Sequence, residues 1–251
     1  RALFSSDPAD LVMAVRGAPA PSRPATGALP GRVRRLAGGA AISVAAAYLG
    51  LNLVADAAVA HGLDTVKVDH YGNEVFVAIR LGPASVGDAQ VTALLGGEGV
   101  TAVLSGRLVR EDASAVRQMS FDGVDLADGG WGRPSTLHVV QPSSGVISSL
   151  HAFHQVLGKA PIDLVPPRAV NGIDLVSALV EHVPIVRAVH ELTPAQVGPP
   201  GQSGTVPLRA RAIYVIDAST SNGAAVTATL WRLQAAAAAA HLATAPLVDA
   251  G

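Results

Sequence analysis

Residues 65–81 read TVKVDHYGNEVFVAIRL, and this stretch decides the fold predicted from the sequence. A two-residue turn at Gly72-Asn73 separates two runs in which every second residue is apolar or histidine. Pairing across that turn places one consistent set on the same face, namely Val66, Val68, His70, Val75, Val77 and Ile79. The opposite face then carries Lys67, Asp69, Phe76 and Arg80. The stretch therefore predicts an antiparallel β-hairpin.

The rest of the chain predicts helices between short strands. A second hairpin is predicted from strands 206–217 and 225–233 around Ser219–Gly223, and further strands are predicted at 99–110 and 136–141. Helices are predicted at 8–15, 36–61, 86–95, 147–158 and 172–190, the last of these kinked or interrupted at Pro184. A helical turn is predicted at 111–119, and a final helix from Arg232 through the run Ala235–Ala240. Residues 122–135, which are rich in Gly and Asp, are predicted to form a loop. Hairpins with helices between them predict an α+β fold, built from antiparallel hairpins packed with several Ala-rich helices.

Composition excludes several classes of protein. The 251 residues contain no Cys, so disulfide scaffolds, Cys-ligated metal sites and thiol catalysis are excluded. A hydrophobic content of 49% excludes a chain disordered throughout, and a net charge of −1 excludes a global polycation.

The basic charge is concentrated at the start of the chain. Residues 1–35 carry six Arg against two Asp, a net charge of +4, and residues 17–31 contain four Pro. We expect residues 1–35 to form an extended arm and residues 36–251 to form a single globular domain. Five arginines of the arm are the predicted partner contacts: Arg16, Arg23, Arg32, Arg34 and Arg35. A weak contact of Arg32, Arg34 and Arg35 with nucleic-acid phosphates is a further hypothesis.

A second feature of this region is an uncharged stretch. Residues 36–55 lack any charged side chain and follow three arginines, a pattern that resembles a membrane span with positive flanking charge. The stretch is mostly Ala and Gly, which gain little by transfer into lipid. A buried core helix is therefore preferred over membrane contact.

Candidate catalytic or metal-binding side chains are few. His151 and His154 lie three residues apart on a predicted helix, and His182, His190 or Glu191 could supply a third metal ligand. His154 falls on the apolar side of that helix, which favours a hydrogen-bonded core histidine. The aspartates of the predicted loop, Asp122, Asp125 and Asp128, fit no EF-hand spacing. The sequence therefore predicts no catalytic site, no metal site and no bound cofactor.

Three hypotheses of function follow, from different classes. The preferred one is a structural or assembly subunit of a multi-copy complex, shell-like or capsid-like. In it the ordered N-terminal arm contacts neighbouring chains in a homo- or hetero-oligomer. The alternatives are a membrane-tethered extracytoplasmic binding or accessory domain anchored by residues 36–55, and an enzyme with a His-containing pocket. The sequence does not favour an enzyme, and it does not indicate a cellular compartment.

Overall fold

The computed structural model describes residues 72–131, 145–166, 172–186, 190–199 and 203–247, with the isolated positions 46, 47, 50 and 54. Residues 72–247, as far as they are described, belong to one compact unit. The strands are β1 (Glu74–Arg80), β2 (Thr101–Leu104), β3 (Leu126–Asp128), β4 (His190–Leu192), β5 (Ile213–Asp217) and β6 (Ala243–Ala245). The α-helices are α1 (Ala89–Gly97), α2 (Gly106–Glu111), α3 (Ala113–Phe121), α4 (Gly145–Leu157), α5 (Gly172–Glu181) and α6 (Gly223–Ala239).

Strand β1 is the centre of the sheet, and its neighbours are all parallel to it. Phe76 pairs with Ile213 of β5 on one edge and with Ala245 of β6 on the other. Ala78 likewise pairs with β5 on the first edge and with Thr101 of β2 on the second. Strands β6 and β2 therefore share one edge of β1, with β6 beside its amino-terminal half.

The pairing continues outward from β1 in both directions. Strand β3 pairs with β2, and single bridges join Asp128 to Leu164 and Leu164 to Ile185. On the other side β4 pairs with β5. Every one of these pairings is parallel. The two ends of this order, Ile185 and β4, are close neighbours along the chain.

The core is divided by the sheet into an inner and an outer part. One cluster is made only of residues on or beside strands and contains Phe76, Ala78, Val103, Ala127, Val165, Val186, Ile213, Val215, Ala245 and Leu247. The other two clusters pack strand residues against the helices. Because side chains alternate along a strand, Phe76 and Ala78 face the inner cluster, while Val75, Val77 and Ile79 face the helices. The sheet thus curves into a parallel α/β barrel with an apolar interior.

The predicted α+β fold of antiparallel hairpins is therefore wrong. The first hairpin fails because both edges of β1 are occupied by parallel neighbours, which leaves no edge for an antiparallel partner. Residues 75–79 are all fully buried. The stretch VFVAI is thus a continuous apolar run buried on both faces, as parallel strands are, and not a half-exposed alternation. Residues 66–70 lie outside the described residues.

The second predicted hairpin is wrong as well. Residues 225–233 belong to helix α6, which begins after Asn222 and not near Arg232. The Asn222 side chain accepts a hydrogen bond from the Ala225 N–H, and this cap fixes the helix start. Only residues 213–217 of the first predicted strand are extended.

Two further boundaries differ from the prediction. The strand predicted at 99–110 ends at Leu104, because the Ser105 hydroxyl accepts the Leu108 N–H and starts α2. The loop predicted at 122–135 contains β3, whose three residues are buried. The helices predicted at 86–95 and 147–158 are confirmed as α1 and α4, and the helical turn predicted at 111–119 is a full helix, α3. The helix predicted at 172–190 ends at Glu181, before the predicted interruption at Pro184. The predictions at 8–15, 36–61 and 136–141 lie outside the described residues, apart from isolated positions.

Candidate functional site

Charged side chains meet at the carboxyl end of the barrel. Arg80 and Asp217 are the last residues of β1 and β5, and they are direct neighbours in register. By strand alternation both point to the inner side, in line with Ala78 and Val215. Glu191 of β4 is paired with Val215, so it lies on the same side. We call Arg80, Glu191 and Asp217 the mouth cluster. The carboxyl end of a parallel barrel is where ligands usually bind.

The Arg80 guanidinium extends across this mouth. Its Nη1 donates to Glu191 Oε1 at 3.0 Å, and its Nη2 donates to the Pro166 carbonyl at 3.1 Å. Among the described residues its buried Nε has no hydrogen-bond partner. The Arg80 side chain is only 12% exposed, whereas the Glu191 side chain is 54% exposed. A buried cation is thus held by a carboxylate that reaches into solvent.

Asp217 is the second carboxylate of the mouth. Its side chain is exposed, and Oδ1 accepts the Ser219 N–H at 3.1 Å. The loop after β5 is held close to the loop after β1, because a Cβ on Gly82 would overlap the Ser219 carbonyl oxygen. Gly82 is itself fixed by hydrogen bonds of its N–H and carbonyl with the Ser85 hydroxyl. The position of Asp217 relative to Arg80 therefore depends on this backbone contact.

A buried carboxyl group lies on the outer side of the same barrel end. Asp128 closes β3 and is fully buried. Its Oδ1 accepts from the Ser149 hydroxyl at 2.5 Å and from the Gly130 N–H at 2.7 Å. Burial raises the pKa of Asp128 to about 7; the two hydrogen bonds oppose this shift, and the Asp174 charge adds to it. Near neutral pH the group therefore carries a proton in a large fraction of molecules.

Ser149 is expected to be the main anchor between α4 and the end of β3. The Ser149→Ala variant should lose about 1–3 kcal/mol of stability, because the buried Asp128 oxygen loses its hydroxyl donor. Chemical denaturation of the two proteins measures this difference. Ser148→Ala, the half-exposed neighbour on the same helix, is the control and should change stability by less than about 0.5 kcal/mol. Equal stability of both variants would contradict the anchoring role.

A second buried acid, Asp163, lies at the start of the segment that pairs with β3. Burial raises its pKa to about 7, and the Asp125 charge adds to the shift. Its backbone carbonyl accepts the Asp128 N–H at 2.8 Å, next to the single bridge between Asp128 and Leu164.

The predicted histidine candidates are only partly brought together. His151 and His154 line a groove of about 540 Å³ between α4 and α5, with Glu181 on its edge. His154 Nε2 lies 3.0 Å from Glu181 Oε2, and the His154 side chain is 40% exposed, so the predicted core histidine is wrong. His182 and His190 do not line this groove, and His190 stacks on Tyr214. Within the described ranges no group of three His, Asp or Glu side chains is placed to hold a metal ion.

The predicted partner contacts involve residues that the structure does not describe. Arg16, Arg23, Arg32, Arg34 and Arg35 are all outside the described residues, so their contacts with protein or nucleic acid stay predictions. Among the helices that are described, none is long and apolar enough to span a membrane.

Comparison with known proteins gives the class of this fold. No family model and no curated protein matches the sequence. The chain is nevertheless similar to solved structures of deacetylases over most of its length. Bc1960, a peptidoglycan N-acetylglucosamine deacetylase, has a TM-score of 0.58 at 13% identity, over 73% of this chain and 90% of its own.

Two further solved structures have the same architecture. PdaA of Bacillus subtilis, a family 4 carbohydrate esterase, has a TM-score of 0.51 at 16% identity, over 74% of this chain and 84% of its own. The Xyl-CE4 domain of a multidomain xylanase, from the hindgut metagenome of Trinervitermes trinervoides, has a TM-score of 0.51 at 14% identity, over 72% and 90%. The chain therefore has the parallel α/β barrel fold of these carbohydrate esterases.

This likeness overturns the preferred hypothesis of function. The prediction of a shell-like or capsid-like structural subunit is wrong, since the similar structures are deacetylases and esterases and not assembly proteins. The histidine-pocket enzyme among the alternatives comes closer, although none of its histidines belongs to the mouth cluster. His151 and His154 lie on α4, His182 directly follows α5, and His190 begins β4.

Sequence reasoning missed the mouth cluster. The sequence predicts Arg80 on the polar face of a hairpin, and the pattern around Asp217 predicts only the end of a strand. The available signal was a charged residue directly ending an apolar run, in VFVAIR and in IYVID. In a parallel barrel such strand ends converge at one rim.

Proposed function

We propose that this protein is a carbohydrate-active hydrolase that removes acyl groups from a glycan bound at the mouth of the barrel. The observation that carries the proposal is the mouth cluster, one arginine and two carboxylates above an apolar interior, in a barrel of the deacetylase type. The solved structures with this fold act on glycans according to their names, among them a peptidoglycan N-acetylglucosamine deacetylase. An acetamide or acetyl ester on a sugar is therefore the proposed scissile group.

The mouth cluster supplies a general base and a binding cation. Asp217, exposed and oriented by the Ser219 N–H, takes a proton from water as the water oxygen attacks the acyl carbon. The C–N or C–O bond then breaks, the proton passes to the leaving amine or hydroxyl, and acetate is the second product. Arg80 supplies fixed N–H donors for a polar group of the bound glycan. Glu191 has to release part of that guanidinium when the glycan enters.

Glycan binding without turnover is the second candidate function. It is favoured by the closed state of the cluster, in which Arg80 is already bound to Glu191 and to the Pro166 carbonyl. A mouth in this state recognises a ligand by exchange of hydrogen bonds and needs no base.

Acetate release separates the two candidates. The full chain is incubated with N-acetylchitooligosaccharides, peptidoglycan and acetylated xylan, and acetate is measured enzymatically. We expect release from at least one substrate, and we expect Asp217→Asn to slow it about 10²-fold, the lower range for loss of a general base. Binding of the same glycans by calorimetry, with no acetate released, would establish the second candidate instead.

Asp122→Asn is the matched control for this experiment. Asp122 is an exposed aspartate at the end of α3, where its carboxylate accepts from the Gln118 amide. It lies before β3, at the opposite end of the barrel, so its loss should leave acetate release unchanged. Equal rates for Asp217→Asn and wild type would remove Asp217 from the mechanism.

A further inference from the structure

The Arg80 guanidinium has the properties of an anion-binding group. It lies directly above Ala78 and Val215 of the inner cluster, so the interior beneath it is apolar. Its side chain is nearly buried, and its Nε has no hydrogen-bond partner among the described residues. A cation in such surroundings needs a permanent anionic partner, since an uncompensated buried charge is strongly destabilising.

The present partner of Arg80 is a carboxylate that can leave. Glu191 is more than half exposed, so its side chain can rotate into water while its charge stays solvated. A carboxylate brought by a ligand fits the same guanidinium, since the Glu191 carboxylate already demonstrates the geometry.

The second acid of the mouth limits how much negative charge a ligand can bring. Asp217 is the register neighbour of Arg80, and its charge is met by one backbone N–H. One arginine therefore faces two acids once a ligand carboxylate has displaced Glu191. A glycan with well-spaced carboxylates suits this site better than one with a carboxylate on every sugar.

We infer that the glycan taken at this mouth carries a carboxylate, as a uronic-acid sugar does, and that this carboxylate replaces Glu191 on Arg80. The inference rests on the proposed function and names its substrate class. Glu191 then acts as an internal competitor of the ligand, which sets a minimum affinity that an acidic glycan must exceed. Neutral glycans lack the charge needed to displace it.

Calorimetry with matched oligosaccharides tests this inference. A hyaluronan hexasaccharide alternates carboxylate-bearing and N-acetylated sugars, its carboxyl-methyl ester lacks the charge, and chitohexaose has only N-acetylated sugars. For the full chain we expect the acid to bind at least about tenfold more tightly than its ester or chitohexaose. Glu191→Gln should tighten binding of the acid about tenfold further. Arg80→Gln should abolish the preference for the acid.

One control variant and one fallback variant keep the outcomes apart. Glu111→Gln removes an exposed carboxylate that is paired with Arg107 on α2, and it should leave all three affinities unchanged. If Arg80→Gln fails to fold, the affinity of the Glu191→Gln variant for the acid still tests the inference. Equal affinity for the acid and its ester, or no gain in Glu191→Gln, overturns the inference, while acetate release from neutral glycans would leave the proposed function standing. Failure of every glycan to bind or to lose acetate overturns the proposed function itself.

Discussion

Replacing Gly82 with alanine is expected to destabilise the barrel by more than about 4 kcal/mol. The added Cβ would overlap the carbonyl oxygen of Ser219, which is a backbone atom and cannot rotate away. The loop after β1 and the loop after β5 would have to separate, and the pairing of Arg80 with Asp217 would be strained. Urea denaturation of the purified variant measures the loss, and an insoluble product is the extreme form of the same result.

Gly97→Ala is the control for that experiment. Gly97 is the last residue of α1, and an added Cβ would meet no atom within 4 Å. Alanine loses less backbone entropy on folding than glycine, so this variant should be more stable by about 0.5–1 kcal/mol. If Gly82→Ala proved as stable as wild type, the two loops would have to be further apart than described.

Replacing Asp128 with asparagine is expected to remove a large part of the pH dependence of stability. The pKa of Asp128 is raised from 3.8 to about 7 in the folded protein, so folding favours its protonated form. Its stabilising contribution is complete below pH 3.8 and is lost as the pH rises to about 7 and beyond. A shift of this size corresponds to about 4 kcal/mol between pH 4 and pH 8.

The measurement is the free energy of unfolding at pH 4 and at pH 8. The difference between the two values should be about 4 kcal/mol smaller in Asp128→Asn than in wild type, with the variant the more stable protein at pH 8. Asparagine keeps the side-chain oxygen that accepts from Ser149 and Gly130. Asp122→Asn, at an exposed position, should keep the wild-type difference. An unchanged difference in Asp128→Asn would mean that Asp128 titrates near its ordinary pKa.

The sequence predicts local elements of this fold better than their pairing. Helix α4 follows from its apolar spacing and from Gly158, which comes directly after its last residue. Strand β1 is also recognisable, but its neighbours come from residues near 101, 215 and 245, which no turn signal connects to it. A Gly-Asn dipeptide favours a local hairpin, and the parallel partners, distant along the chain, prevail because they bury both faces of β1.

The mouth cluster could not be assembled from the sequence for a similar reason. Arg80 and Glu191 are 111 residues apart, and only the barrel brings them within hydrogen-bond distance. His151 and His154 are recognisable as candidates because they lie three residues apart on one helix, yet that helix places them in the groove between α4 and α5. Asp128 was considered as a loop residue, and its burial depends on α4 covering it. The mouth cluster is therefore brought together by the sheet topology and not by a local sequence motif.

The placement of β6 has a consequence for the order in which the protein folds. On one edge β1 is completed by β5, and on the other by both β2 and β6, so its outermost contacts join residue 76 to residues 213 and 245. During synthesis β1 leaves the ribosome well before β5 and β6, which follow more than a hundred residues later in the chain. Contacts of such large sequence separation slow folding and leave an apolar strand exposed in the meantime. We therefore expect the barrel to close only after β5 and β6 have been synthesised. Until then β1 is the segment whose apolar surface stays exposed.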